Sequence, residues 1–200
     1  MLCGDVVLPY EELCEICEEY LRTAKLPAQF GGIIASFAYD GAIRDALRQL
    51  KFMGNADSVS FFAARMAKAL GDKAEGLNAI CYVPLHSARQ KIRGYNQSEL
   101  LAHKLAEKLE LPLRGDVLIR LRDTPSQREF DREGRRENVR GAFEIPSGVS
   151  VEGLRLLLID DITTTGATLL ECARALAEGS ATEVVCAAAA ATAEKRVKGK

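Results

Sequence analysis

The feature that most constrains the fold of this 200-residue chain is a short apolar run that ends in two acids. Residues 156–159 are Leu-Leu-Leu-Ile, without a polar break, and Asp160 and Asp161 follow at once. A run this short, bounded by small polar residues, predicts a strand that is buried on both faces, as in a parallel sheet. An amphipathic helix is predicted behind it, over about residues 168–178. The acids are therefore expected at the exposed end of a strand.

The loop between this strand and the helix is made of small or hydroxyl-bearing residues, namely Thr163, Thr164, Thr165, Gly166, Ala167 and Thr168. A helix start offers unpaired N–H groups and the positive end of the helix dipole, and a glycine lets the backbone approach an anion closely. This pattern predicts a phosphate site. Because carboxylates would repel a phosphate, we expect Asp160 and Asp161 to hold a hydroxyl-rich group such as a ribose diol, with a divalent cation as a further candidate. The alternative is a capped helix beside two merely exposed acids.

The overall composition is that of an ordinary globular protein, and it predicts one domain with a small appendage. The chain is 48% hydrophobic and 28% charged, with a net charge of −1. It shows neither a strong basic signature for nucleic acid nor an apolar run long enough to span a membrane. Because the N-terminus also lacks the pattern of a signal peptide, a cytoplasmic location is predicted.

Three cysteines near the N-terminus indicate a metal site. Cys14 and Cys17 form a C-x-x-C pair, and Cys3 lies close by. Thiolates at this spacing can bind zinc, but a structural site needs four ligands. A second C-x-x-C pair ending at Cys3 would need a cysteine one position before Met1, so we expect that the chain begins too late and that the zinc site is incomplete. Three incidental cysteines are the alternative.

A second anion site is predicted in the loop after another buried strand, over residues 79–84. The loop carries three cations within five positions, at Arg89, Lys91 and Arg93. Gly94 can turn the backbone there, and His86, directly after the strand, is either structural or part of the site. Because the carboxyl ends of parallel strands meet at one edge, this loop should lie near the phosphate loop.

The segment over residues 122–140 is long, polar and rich in both arginine and acid. Long polar segments inside compact domains are usually lids or binding loops. A solvated, partly helical face is the alternative, since the charges alternate in sign.

Sequence blocks along most of the chain resemble one family. The stretch LLLIDDITTTGAT resembles the phosphoribosyl pyrophosphate (PRPP) motif of type I phosphoribosyltransferases, over residues 156–168. The blocks VPLH…RGYNQSELLA and RDTPSQ…NVRGAF, with the helix ending LKF and the N-terminal cysteines, resemble the ComF family. This resemblance implies an α/β, type I phosphoribosyltransferase fold over residues 31–200, with a central, mainly parallel sheet flanked by helices. Residues 1–30 would form a Cys-rich, zinc-ribbon-like segment that belongs to a hood.

The resemblance also implies roles for particular residues. Asp160 and Asp161 would contact the ribose, and the loop from Thr163 to Thr168 would bind the 5-phosphate. The pyrophosphate side would be formed by His86, Arg89, Arg93 and Gly94. The flexible loop over the substrate would contribute Thr124, Gln127, Arg136 and Asn138. Mg²⁺ would accompany PRPP, with few protein ligands.

The function implied by the resemblance is PRPP binding by a phosphoribosyltransferase-like protein that acts in natural competence. Its partners would include incoming single-stranded DNA and the competence helicase machinery. No residue pattern names an acceptor for the phosphoribosyl group, so turnover is left open. Two alternatives without catalysis are a single-stranded DNA-binding module that reuses the phosphate site and a PRPP-responsive regulator.

Overall fold

A computed structural model gives the fold of this chain and describes residues 32–53, 56–123 and 132–192. The strands within these ranges are β1 (Ile34–Ala38), β2 (Ala79–Tyr82), β3 (Ile119–Arg120), β4 (Phe143–Glu144), β5 (Arg155–Thr163) and β6 (Glu183–Ala191). The α-helices are α1 (Gly41–Met53), α2 (Ala56–Leu70), α3 (Ser87–Arg93), α4 (Gln97–Leu109), α5 (Arg132–Val139) and α6 (Ala167–Glu178). A short 3₁₀ helix, Gly71–Ala74, follows α2.

Four of the strands form one parallel sheet in the order β1-β6-β5-β2. β5 is central, since it pairs with β2 on one side and β6 on the other. β3 and β4 form a separate antiparallel pair. The predicted α/β fold with a mainly parallel central sheet is confirmed.

The sheet is covered on both faces because alternate residues of β5 point in opposite directions. Leu157 and Ile159 belong to an apolar cluster with residues of α1, α2 and α4. Leu156 and Leu158 belong to a second cluster with residues of α6 and of the β3–β4 pair. All four leucine and isoleucine side chains are fully buried. The polar-free run in the sequence is therefore explained by burial on both sides.

The structure corrects two of the predicted element boundaries. β5 continues to Thr163, so Asp160 and Asp161 lie within the strand and not beyond its end. The strand is longer than predicted because β6 is equally long and pairs with β5 as far as Thr163. The loop predicted after β2 contains the helix α3. The polar segment over residues 122–140 contains α5, which agrees with the partly helical alternative. None of the described helices combines the length and apolar character that crossing a membrane requires.

Candidate functional site

The acidic pair lies where β5 runs on beyond its partner β2. Val83, just after β2, donates its N–H to the carbonyl of Ile159 (2.9 Å), and the pairing of β2 with β5 goes no further. Asp160 and Asp161 follow on β5 and are both half-buried. The Oδ1 atom of Asp161 accepts a hydrogen bond from the N–H of Ile162 (2.8 Å). The two carboxylates are thus held close to the backbone at the carboxyl end of the sheet.

Ser98, near the start of α4, contacts both acids. Its Oγ donates to Oδ1 of Asp160 (2.9 Å) and accepts from the N–H of Asp161 (3.2 Å). That N–H also donates to Oδ1 of Asp160 (2.9 Å). The Ser98 hydroxyl on α4 therefore accepts from a backbone N–H of β5 at a point where β2 no longer pairs with it.

The electrostatics at Asp160 favour its neutral form. Burial by the surrounding protein raises the pKa of Asp160 well above its ordinary value of 3.8, and the charge of Asp161 raises it further. The hydrogen bond from Ser98 opposes this shift. A carboxyl whose pKa is perturbed by burial and by a like charge is typical of functional sites.

The predicted phosphate loop joins β5 to α6. Thr163 is the last residue of β5, and α6 begins at Ala167, so only Thr164, Thr165 and Gly166 lie between the two elements. Gly166 caps the helix in the left-handed region, with φ of 77°. Its position is also tight, because a Cβ atom there would lie 2.8 Å from Cδ1 of Ile33. These constraints explain why glycine suits this position.

The hydroxyls of the loop are placed around the helix start. Oγ1 of Thr165 accepts from the N–H of Ala167 (3.4 Å), and the side chains of Thr164, Thr165 and Thr168 are half-buried. A 12-residue helix with N–H groups at its first turn and hydroxyls beside it is a suitable surface for a phosphate.

The basic side of the site is formed by α3 and β3. Nε of Arg89 forms an ion pair with Oδ1 of Asp123 at 2.6 Å. Burial lowers the pKa of Arg120, the nearby positive charge of Arg89 lowers it further, and Asp123 and Asp160 act in the opposite direction. Arg120 is therefore within electrostatic reach of both the basic helix and the acidic pair, and it lies over the ring of Phe143 (5.3 Å from the guanidinium carbon to the ring centre).

Two other residues predicted for the basic side shape α3 itself. His86 caps the helix, since its Nδ1 accepts from the N–H of Ala88 (3.4 Å). Gly94 ends the helix in the left-handed region, with φ of 79°. The structural interpretation of His86 thus has a physical basis, and the helix holds Arg89 in place. The side chain of Arg93 is not among those described.

The residues predicted for the flexible loop are only partly described. Arg136 and Asn138 belong to α5, where Asn138 is half-buried, whereas Thr124 and Gln127 lie outside the described ranges. A groove of about 450 Å³ lies between α5 and α6. It is lined by residues of both helices and of the turn after α5, namely Glu137, Val139, Arg140, Ala167, Leu170, Glu171 and Arg174. Ala167, the first residue of α6, and Glu137 of α5 both line this groove. The polar segment over residues 122–140 therefore extends to the end of the phosphate loop.

The predicted zinc ligands are Cys3, Cys14 and Cys17, which lie outside the described ranges. The zinc site therefore stays a prediction. Within the described ranges, no three His, Cys, Asp or Glu side chains are grouped so that they could hold a metal ion.

Sequence analysis missed two residues of this site. Ser98 lies in the stretch RGYNQSEL, but a serine in the first turn of a helix gives no sign that it will reach a neighbouring strand. Arg120 lies on the two-residue strand β3, and the electrostatic influence of Asp160 on it depends on how β3 packs against the sheet. Only the three-dimensional arrangement of the elements indicates either residue.

Comparison with protein families identifies one domain in this chain. The family model for the phosphoribosyl transferase domain matches residues 95–199, which is just over half of the chain. Adenine phosphoribosyltransferase from Thermoanaerobacter pseudethanolicus superposes with a TM-score of 0.43 at 16% identity, over 71% of this chain and 84% of that chain. A likeness of that size carries no information on function.

The curated relatives are more specific than the family model. DNA utilization protein YhgH of Salmonella typhi is 29% identical over 82% of this chain and 73% of its own length. Competence protein ComFC of Bacillus subtilis is 33% identical over 82% of this chain and 65% of its own length. Competence protein F of Haemophilus influenzae is 38% identical over 49% of this chain and 43% of its own length. The chain therefore belongs to the phosphoribosyltransferase family, as a protein of the ComF type.

Proposed function

We propose that this chain binds PRPP at the carboxyl edge of its parallel sheet and acts in the handling of incoming DNA during natural competence. The observation that carries the first part is the placement of the acidic pair on β5, one short loop before the start of α6. That arrangement puts acceptors for hydroxyl groups beside donors for a phosphate. PRPP carries a ribose diol and a 5-phosphate at a similarly short separation.

In this proposal Asp160 and Asp161 accept hydrogen bonds from the ribose hydroxyls. The loop holds the 5-phosphate through backbone N–H groups and hydroxyls, over Thr163, Thr164, Thr165, Gly166, Ala167 and Thr168. The tight left-handed turn at Gly166 supports this role, since it brings backbone N–H groups to the end of the helix without a side chain in the way.

The pyrophosphate of PRPP would face the basic side. Arg89 and Arg120 are close enough for their charges to affect one another, and Arg120 is held on the ring of Phe143. Two guanidinium groups that converge in this way can share a multiply charged anion. We add Arg120 to the residues predicted for the pyrophosphate side, which also include Arg93. His86 and Gly94 contribute to that side by shaping α3. Thr124, Gln127, Arg136 and Asn138 remain candidates for a segment that closes over PRPP.

The acidic pair also suits Mg²⁺. Carboxylate oxygens are ligands that this ion takes readily, and it usually keeps few protein ligands when phosphates supply the others. Asp160 and Asp161 are both partly accessible, so their oxygens could hold the ion against PRPP. When bound, Mg²⁺ would neutralise charge that builds up on a departing pyrophosphate.

If phosphoribosyl transfer occurs, the bond between C1 of the ribose and an oxygen of pyrophosphate breaks, and pyrophosphate leaves with the electron pair. A new bond forms between C1 and a nucleophilic atom of the acceptor. Positive charge would develop on the ribose and negative charge on the leaving group. The acidic pair lies on the ribose side, and Arg89 and Arg120 lie on the leaving-group side, so the charges of the site are arranged to suit that separation. The chain would then act by positioning and by charge stabilisation.

Calorimetric titration with PRPP, with and without Mg²⁺, tests the proposal. We expect Mg²⁺-dependent binding in the range of about 1 µM to 1 mM, as is usual for enzyme substrates. The Asp160→Asn/Asp161→Asn variant should lose binding by at least about tenfold, which corresponds to one lost charged hydrogen bond. Glu75→Gln/Glu152→Gln is the matched control, because it removes two exposed carboxylates that lie before the starts of β2 and β5, at the opposite edge of the sheet. A folded wild-type chain that does not bind PRPP would refute the proposal.

The part of the proposal that concerns competence is supported by the names of the relatives, which include two competence proteins and a DNA utilization protein. Single-stranded DNA is therefore the second ligand to test, by fluorescence anisotropy over a salt series. Binding that weakens steeply with salt and is displaced by PRPP would favour a shared phosphate site. Salt-independent or undetectable binding would contradict the DNA-binding alternative and leave PRPP as the ligand.

A further inference from the structure

Ser98 connects the start of α4 to both acids of β5. Its side chain is almost completely buried, at 4% exposure. The hydroxyl donates to Oδ1 of Asp160 at 2.9 Å and accepts from the N–H of Asp161 at 3.2 Å. One hydroxyl thus holds the side chain of the first acid and the backbone of the second.

Asn96 fixes Ser98 in turn. It caps α4, with its Oδ1 accepting from the N–H of Ser98 at 3.1 Å. Its Nδ2 donates to the carbonyl of Val83 at 2.9 Å, just beyond β2. Since Asn96 is only 3% exposed, water competes little for these bonds. The hydroxyl of Ser98 is therefore held at a defined position between the ends of β2 and β5.

We infer that Ser98 is a positioning residue for PRPP binding, which fixes the Asp160 carboxylate so that its Oδ2 atom faces the ribose hydroxyls. The inference rests on the proposed function. The hydrogen bonds from Ser98 and from the N–H of Asp161 both end on Oδ1, so rotation of the carboxylate would break both. Without the hydroxyl, only the bond from the neighbouring backbone would restrain the group.

The same contact gives the inference a readout that a purely structural role would not change. The hydroxyl of Ser98 donates to Oδ1 of Asp160 and also accepts from the N–H of Asp161. Threonine can make both bonds, whereas alanine of similar size to serine can make neither. Recovery of PRPP affinity with threonine, but not with alanine, therefore reports the hydroxyl.

The experiment is a series at this one position, followed by PRPP calorimetry in the presence of Mg²⁺. Ser98→Thr keeps a hydroxyl, Ser98→Cys offers a weak donor, and Ser98→Ala removes the donor. Affinity for PRPP should fall about tenfold in Ser98→Ala, which corresponds to the loss of about one hydrogen bond to a charged group. The loss should be smaller in Ser98→Cys and close to zero in Ser98→Thr.

Two controls keep the outcomes separate. Ser36→Ala removes another buried serine hydroxyl, on β1, which is two strands away from β5, and it should leave the affinity unchanged. Denaturant unfolding without PRPP should show that every variant in the series is folded under the conditions of the titration. Wild-type affinity in Ser98→Ala, or an equal loss in folded Ser98→Ala and Ser98→Thr, would overturn the role of Ser98 and leave the proposed function standing. A folded wild type that does not bind PRPP would overturn both.

Discussion

The substitution Asp160→Asn is expected to stabilise the fold while it removes the function. In the wild type, burial and the adjacent Asp161 raise the pKa of Asp160 well above 3.8. A raised pKa in the folded state means that the ionised carboxylate destabilises the fold, by about 1.4 kcal/mol for each unit of the shift. The carboxamide of asparagine keeps an oxygen that can accept from Ser98 and from the N–H of Asp161. The variant therefore loses the charge and keeps the hydrogen bonds.

The expected gain in unfolding free energy follows from this relation between the pKa shift and free energy. At about pH 8 the unfolding free energy of Asp160→Asn should exceed that of the wild type by at least about 1 kcal/mol. For a chain of this size, that is an increase in Tm of at least about 2–4 °C. The gain should shrink as pH falls through the folded-state pKa of Asp160 and should vanish below about 3.8, where both folded and unfolded wild-type chains are protonated at this position.

Denaturant unfolding at several pH values measures this difference directly. Glu152→Gln is the matched control, since it removes an exposed carboxylate and should change the unfolding free energy by less than about 0.5 kcal/mol. A variant that is less stable than the wild type at about pH 8 would show that the ionised carboxylate contributes to folding. A gain that is the same at every pH would show that charge is not the cause.

Three further predictions concern the same edge of the sheet. Gly166→Ala should lower the unfolding free energy by about 1–3 kcal/mol, since φ is 77° there and a Cβ would meet Ile33 at 2.8 Å; a loss below about 0.5 kcal/mol in denaturant unfolding would contradict this. Asp123→Asn should tighten PRPP binding by up to about fivefold in low-salt calorimetry, because it removes an anion that competes for Arg89; weaker binding would contradict it. Gln97→Met should raise the unfolding free energy by about 1–2 kcal/mol, because Nε2 of Gln97 is buried and has no hydrogen-bond partner within the described ranges; thermal unfolding measures the change, and a lower Tm would refute it.

The sequence predicted β5, the phosphate loop and α6 well, because the residues that determine their structure lie close together in the sequence. The apolar run of β5 is buried on both faces by consecutive side chains, and the loop to α6 takes its conformation from Gly166 and its own threonines. The alternation of strands and helices then required a parallel sheet, which is what forms. Cys81, Cys172 and Cys186 are free and buried, as is usual for cysteines in an apolar core.

What the sequence did not predict depends on the neighbours of each element. The end of β5 was placed before Asp160, but the length of a strand depends on its partner, and β6 extends the ladder to Thr163. The α3 helix was missed because it is only seven residues long and is stabilised by caps, at His86 and Gly94, more than by an apolar face. The contacts of Ser98 and Arg120 join elements that are distant in sequence, and no spacing rule connects them.

The proposed site also explains where this chain departs from a fold optimised for stability. The carboxyl edge of the sheet holds a half-buried carboxyl with a raised pKa, at Asp160, and a buried amide at Gln97 whose Nε2 has no hydrogen-bond partner in the described ranges. Both features destabilise the free chain, one near the end of β5 and the other near the start of α4. Clustering of this kind is typical of a binding site, because a bound ligand can supply the missing partners. It follows that Asp160→Asn, which should stabilise the free chain, should also reduce the stabilisation that saturating PRPP gives, whereas the exposed Glu152→Gln should leave that stabilisation unchanged.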